Sequence, residues 1–388
     1  MLQCVALIHN LGNFSLSILW RWILHSLFLG GLMVAITPAY AANIKCENWP
    51  AWSIFKQKFI SHDGRIIDRF APEHVTTSEG QAYAMMFALI ANDRTAFDLV
   101  LRWTKNNLAN GDLADNLPAW QWGRRASNRW EIIDDNTASD ADLWIAYTLH
   151  EAGQLWKKPK YTVLAQHLSA RILQEETADI PGLGLTLLPG RHGFKRDEKT
   201  WRLNPSYLPI QVLRRFATVY PHSAWHKIVT SSIKIITQST TQGVAPDWVD
   251  YHAERGFQML PNPPVEEIGF NAIRVYLWAG MMDQRDEARP ILLENFAPLG
   301  QKIQAWDAAT RNDIPAGFSA ALLPFLKSSK LKRALHLQHQ RVTKLAPLSQ
   351  SDNYYDQVLT LFGLGWLEDH YKFTQHGQLL PRWTCVKN

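Results

Sequence analysis

Apolar residues recur at three- and four-residue spacing in one stretch of this chain after another, and that periodicity limits its fold more than any other feature. The stretches fall near residues 50–60, 79–93, 95–109, 139–156, 159–175, 206–219, 222–238, 271–283, 285–298, 315–327, 330–343 and 354–371. Pro, Gly, Asn and Asp punctuate the gaps, as at Asn110-Gly111-Asp112, Pro181-Gly182-Leu183-Gly184 and Pro261-Asn262-Pro263-Pro264. Strand signals are few and short. Twelve helices without a linker or low-complexity tract predict one all-α domain. In 79–93, Tyr83, Met86, Phe87 and Ile90 make one apolar stripe while Ala82, Met85 and Leu89 make another. A helix apolar on two faces sits inside, surrounded by others. The 330–343 stretch is instead basic and amphipathic, with Lys330, Lys332, Arg333 and Arg341. It reads as a solvated outer helix, with a docking surface as the alternative. Six inner and six outer helices form a closed double-ring barrel, a pattern that periodicity alone shares with other large helical folds.

The first forty-odd residues stand apart. Residues 1–41 hold one charged side chain, Arg21, followed by an apolar run from Ile23 to Ile36, then Pro38 and the triplet Ala39-Tyr40-Ala41. That is the order of a secretory signal cleaved near Ala41. The run is short for a spanning helix, and an uncleaved anchor is the alternative. Residues 42–388 are therefore expected in the periplasm or outside the cell, as a single domain without stable membrane insertion. Cys4 leaves with the signal. Cys46 and Cys385 remain at opposite ends and are expected to pair in an oxidising compartment, with two buried thiols as the alternative. No CxxC, HExxH or cluster of histidines suggests a metal, so no metal or cofactor is expected.

Composition narrows the function. Lys+Arg 40 against Asp+Glu 35 gives only +5, spread along the chain, too weak a surplus for a nucleic-acid partner. The chain carries 17 Trp, an excess that a flat, apolar, sugar-binding cleft would explain.

Two acidic helix starts hold the candidate chemistry. In Thr76-Thr77-Ser78-Glu79-Gly80-Gln81-Ala82-Tyr83 the pattern also reads as a capping box, by Thr76 with Glu79 or Ser78 with Gln81. In Ala138-Ser139-Asp140-Ala141-Asp142-Leu143-Trp144, Ser139 is the expected cap and both aspartates favour the helix dipole. The second run, continued by Ile145, Ala146, Leu149, Ala152 and Trp156, resembles the signature of glycoside hydrolase family eight, with departures at Thr148 and His150. Further matches run to the C-terminus: Trp120-Gln121-Trp122-Gly123, Asn204-Pro205-Ser206-Tyr207, Pro246-Asp247-Trp248, Ala272-Ile273-Arg274-Val275 and Tyr354-Tyr355-Asp356. Within that family the chain is most similar to the periplasmic endoglucanases encoded with bacterial cellulose synthase. The resemblance implies an (α/α)6 barrel, an inverting mechanism and a β-1,4-glucan substrate, with the cellulose synthase and export complex as an expected partner. A chitosanase or xylanase of the same family is an alternative.

It also implies the roles. Glu79 matches the proton donor. Asp140 matches a residue sometimes labelled the nucleophile; an inverting reaction needs none, so binding of the distorted sugar is the preferred role. The family's usual base is the Asp of Tyr-Asp-Ala-x-Arg, where this chain reads Phe270-Asn271-Ala272-Ile273-Arg274. Asn271 orients a water but cannot take its proton at neutral pH. Either another carboxylate substitutes (Glu266 and Glu267 lie nearest, and Asp247 is a further candidate) or the chain is an impaired, glucan-binding protein. Arg274 is expected to clamp substrate or a carboxylate, with a structural ion pair as the alternative. Trp120, Trp122, Trp201, Tyr207, Trp248 and Tyr355 fall in loops or at helix starts and are expected to bind sugar, together with Asp247. Trp144, Trp156 and Trp278 lie within helices and are expected in the core.

Overall fold

A computed structural model describes residues 49–69, 74–125, 128–259, 268–305, 314–345 and 352–383. The expected signal, Cys46, Cys385, Glu266 and Glu267 lie outside the described residues. Among the described residues, six helices line the inside, α2 (Ser78–Ile90), α4 (Ser139–Leu155), α6 (Ile210–Val219), α8 (Ala272–Met281), α11 (Ala316–Ser328) and α13 (Tyr354–Leu367); all but α6, which buries Ile210–Leu213 and Phe216, are buried on most of their surface. Each pairs with a helix that buries one stripe: α3 (Arg94–Leu108), α5 (Pro159–Glu175), α7 (Trp225–Ser239), the successive α9 (Ala288–Asn295) and α10 (Ala297–Ala305), α12 (Lys332–Leu345) and α1 (Pro50–Phe59). The result is the (α/α)6 double ring. In α3 the buried side chains are Ala96, Phe97, Val100, Trp103, Thr104 and Leu108, the spacing of a helix with one face on a core.

The axis of the inner ring is filled by rings. Phe362 of α13 lies 5.1 Å from Tyr83 and 4.6 Å from Phe87 of α2, closing the circle between the last inner helix and the first. It also lies 5.7 Å from Trp144 of α4 and 5.2 Å from Trp278 of α8. Trp144, Trp156 and Trp278 are core residues, as expected.

Among the described residues, ten short strands were largely invisible to the periodicity. β1 (Thr76–Thr77), β2 (Gln121–Arg124) and β3 (Trp130–Asp134) form an antiparallel sheet with Thr76 opposite Trp122 and Arg124 opposite Trp130. β6 (Thr200–Leu203), β7 (Val249–His252) and β8 (Gly256–Gln258) form another, with Trp201 opposite Tyr251. β4 (Thr177–Ile180) pairs with β5 (Gly184–Leu187), and β9 (Tyr371–Phe373) with β10 (Leu379–Pro381). The β9–β10 hairpin closes the end opposite the inner-helix starts. There Tyr147 donates to Gly377 O at 2.8 Å, Leu379 N to Glu151 at 2.9 Å, and the Trp383 indole to Leu89 O at 3.1 Å.

Two expected caps differ. The cap of α2 is Thr77, whose hydroxyl accepts from Gly80 N at 3.1 Å; Gln81 is instead buried against Ile66 N and Thr104. α4 has no capping side chain, because Ser139 already lies in its first turn, where its N–H donates to Pro189 O at 3.0 Å. Among the described residues, no helix is long and apolar enough to cross a membrane.

Candidate active site

The inner helices run in the same direction, so their N-termini gather at one end of the ring. There the free N–H groups and the helix dipoles favour anions. Three carboxylates use them. Asp140 Oδ1 accepts from Ala141 N at 2.8 Å, Asp247 Oδ1 from Asn271 N at 3.0 Å and Ala272 N at 2.7 Å, and Asp356 Oδ1 from Gly317 N at 3.1 Å.

Arg274 joins these starts. It lies in the first turn of α8, 3% exposed, and its guanidinium reaches α2, α4 and the Pro205–Tyr207 turn as well as the start of its own helix. Nη1 donates to Glu79 Oε2 at 3.0 Å, to the Tyr83 hydroxyl at 2.9 Å and to Asp140 Oδ2 at 2.9 Å. Nη2 donates to Ser206 Oγ at 3.2 Å and to Asn271 Oδ1 at 2.7 Å. Ser206 is itself fixed by Asn204, which accepts its N–H and its hydroxyl. The planar, permanently charged fork of Arg suits this sharing. Glu79 is the one position of α2 that is not buried, which opens its carboxyl to the cleft. Asp140 is buried, and burial, followed by the charge of Glu79, pushes its carboxyl up to about 7 against the pull of Arg274.

Asn271 commits its carbonyl oxygen to Arg274. What remains is an amide N–H donor, able to hold a water by its oxygen and unable to accept the proton. Asp247 adjoins it and caps the same helix start; a Cβ placed on Gly269 would lie 1.9 Å from its Oδ2.

Aromatic rings extend from this centre. The Tyr207 ring lies 5.6 Å from the Arg274 guanidinium, Trp248 is 6.0 Å from Tyr207, and Phe194 stacks on Trp248 at 6.0 Å. Beside Asn271, the exposed Phe270 ring meets Phe318 at 5.2 Å and Tyr355 at 5.8 Å, and the Tyr355 hydroxyl donates to Phe270 O at 2.5 Å. Trp120 is 39% exposed and its carbonyl accepts from Ser78 N at 2.9 Å, which sets it next to Glu79. Trp122 packs on Trp103 at 5.3 Å and stacks with Trp130 at 5.1 Å, with the Arg65 guanidinium against both rings. Trp201 is buried in the core on β6 and is not part of this gathering.

Thus Glu79, Asp140, Asn271 and Arg274 meet directly, Asp247 and Tyr355 adjoin them through the Phe270–Ala272 backbone, and Tyr207, Trp248 and Trp120 lie around them. The sequence reading missed Tyr83, Phe194 and Trp130. Tyr83 had a usable signal, since it stands one helical turn after Glu79.

The chain matches the family described as glycosyl hydrolases family 8 over residues 28–369. It is 44% identical over 377 residues to an endoglucanase of Xanthomonas axonopodis pv. citri (strain 306), covering 94% of this chain and 97% of that protein. It is 42% identical over 368 residues to an endoglucanase of Salmonella typhi, covering 92% of this chain and 97% of the relative. The crystal structure of endo-1,4-D-glucanase from Vibrio fischeri ES114 superposes with a TM-score of 0.79 at 41% identity, covering 87% of this chain and 99% of that one. A matched family pattern, an (α/α)6 ring and relatives alike across nearly their whole length together mean that this chain belongs to glycosyl hydrolases family 8.

Proposed function

We propose that the cleft hydrolyses internal bonds of a β-1,4-glucan with inversion. The observation that carries this reading is one buried arginine holding the carboxyls of Glu79 and Asp140 side by side at an aromatic-lined mouth. Glu79, reachable from the cleft, gives its proton to the glycosidic oxygen as the C1–O bond breaks. Asp140 and Arg274 hold the distorted sugar. A water oriented by the Asn271 amide attacks C1 from the other face, and its proton goes to a carboxylate about 6.5–9.5 Å from the acid. Residue 271 cannot be that carboxylate. Asp247 is the carboxylate that adjoins Asn271, and Glu266 and Glu267 shortly precede it in the chain. The endoglucanase names of the relatives support the substrate. The apolar run and small-residue triplet before residue 42 support export to the periplasm, where trimming of cellulose during its synthesis and export would occur.

The test is reducing-end release from carboxymethylcellulose by residues 42–388, with Glu79→Gln beside it. Activity should fall about 10²–10⁴-fold in the variant while cellulose binding is kept. Near-normal activity in Glu79→Gln would remove the acid assignment. Asp247→Asn, Glu266→Gln and Glu267→Gln then identify the proton acceptor as the one whose loss abolishes turnover. A parent that binds cellulose without cutting it would instead mark a glucan-binding protein.

A further inference from the structure

Two residues beyond Asp140, another acidic side chain is sealed into the protein. Asp142 is fully buried, and so is Glu176, the residue that ends α5. One oxygen of Glu176 accepts the Thr137 hydroxyl, and Thr137 Oγ in turn accepts from Arg191 N at 3.0 Å. Both oxygens of Asp142 and the second oxygen of Glu176 are buried with no N–H or O–H of the described protein pointing at them. Among the described residues, the two carboxyls face each other. Two ionised carboxylates cannot share a dry site without a cation between them, so one of them must carry a proton. Burial is the largest influence on each and holds both carboxyls above the usual range, Glu176 at about 8.

The charges facing the pair come from several elements. Asp140 on α4 and Glu175 on α5 oppose ionisation, and Arg191 favours it. Glu175 is itself held by Arg171 at 2.9 Å and Arg191 at 3.4 Å. Beyond Asp140 lie Arg274 and Glu79. The pair therefore ties three segments: the first turn of α4, the end of α5, and the 189–191 loop, which also accepts from Ser139 N and donates through Arg191 to Asp135 O.

We propose that Asp142 and Glu176 share one proton at neutral pH, and that this proton clamps the first turn of α4 so that Asp140 meets the sugar in register. They are positioning residues, acting through Asp140; that part rests on the glucanase reading above. When the proton leaves, the two carboxylates repel and the clamp loosens. A raised folded-state pKa means that the native chain binds more protons than the unfolded one from about pH 4.3, the free glutamate value, up to about 8. The stability the pair contributes is complete below that window and is lost as pH rises through it.

Glu176→Gln and Asp142→Asn each replace the shared proton with an amide N–H that does not titrate. The full chain and both variants are compared by thermal unfolding between pH 5 and 9 and by infrared absorption of protonated carboxyls at pH 7. The expected result is a parent Tm that falls with rising pH, at least half of that fall removed by either swap, and protonated-carboxyl absorption reduced by one carboxyl in both, beside what Asp140 and Glu79 contribute. In initial rates on soluble β-glucan, the alkaline half-point of kcat should move up by about one pH unit with KM little changed. A parent-like Tm slope in both swaps, or protonated-carboxyl absorption unchanged in both, overturns the shared proton. A flattened slope with the kcat profile unmoved overturns the clamp on Asp140. The thermal and infrared readouts need no substrate, so failure of the glucanase reading would show separately, as absence of turnover in the parent. If one swap fails to fold, the other decides.

Discussion

Arg274 is the residue on which the site turns. Its guanidinium serves two carboxyls, two hydroxyls and an amide oxygen. Removing one partner of a buried ion pair leaves the other charge uncompensated, at a cost of about 3–5 kcal/mol. Arg274→Met is therefore expected to lower stability by about that amount, measured by urea unfolding, besides abolishing turnover. Arg274→Lys should recover little, since a single ammonium cannot span five acceptors fixed for a planar fork. Apart from Tyr83, the members of this cluster stand in motifs at helix starts that the sequence made legible. Their contact was not, because Arg274 is 195 residues from Glu79 and 134 from Asp140 in the chain. Asp247 shows the converse. A motif match drew attention to it, yet only coordinates reveal that it caps α8 through two backbone N–H groups. That anchoring holds it beside Asn271.

Among the helices, α11 carries the most revealing packing. Pro324 lies inside it, and a proline has no N–H for the carbonyl four residues before, here Ala320 O. Against that same carbonyl lies Gly363 of α13, where an added Cβ would sit 1.9 Å from the oxygen. The two helices approach at the place where one has a surplus carbonyl and the other has no side chain. Gly363→Ala is expected to destabilise the fold by about 1–3 kcal/mol, the usual cost of overpacking a filled core, read as a lower urea midpoint at unchanged slope. Helix positions were readable from the sequence because inner and outer helices both carry a strong 3.6-residue period. The predicted 285–298 helix fails as one piece: it breaks at Phe296 and resumes as α10. The cause is Pro298, which has no N–H for the carbonyl four residues before it, Glu294 O, and so stands in the first turn of a new helix. Strands of two to five residues leave no period to read, and their partners are set by loops such as the one that brings Thr76 opposite Trp122.

Over the whole molecule, stability depends on both ends of the described chain. The C-terminal hairpin buries Tyr371, Phe373 and Leu379 and bonds to α2 and α4. At about 1.5–3 kcal/mol for each buried side chain, deleting residues 370–388 removes roughly 4.5–9 kcal/mol, comparable to the entire stability of a typical domain. The truncated chain should be insoluble or lack cooperative melting, checked by circular dichroism of the purified product. Helix count and face pattern were legible, but they suit other large helical folds as well, and it was the family resemblance that pointed to the double ring; which helix closes on which was not legible, because contacts such as Phe362 on Tyr83 have no local signature. That closing contact also times the appearance of activity. The Arg274 cluster rests on Tyr83, and Tyr83 is covered by a residue made near the end of synthesis. At about 5–20 residues per second, a ribosome needs roughly 15 to 55 s to travel from one to the other. For most of that interval the growing chain carries Glu79 without its arginine, which is made only at position 274, and the ring stays open until Phe362 follows. A chain that stops short of Phe362 is thus expected to lack the ring contact that covers Tyr83, and with it a settled Arg274 cluster.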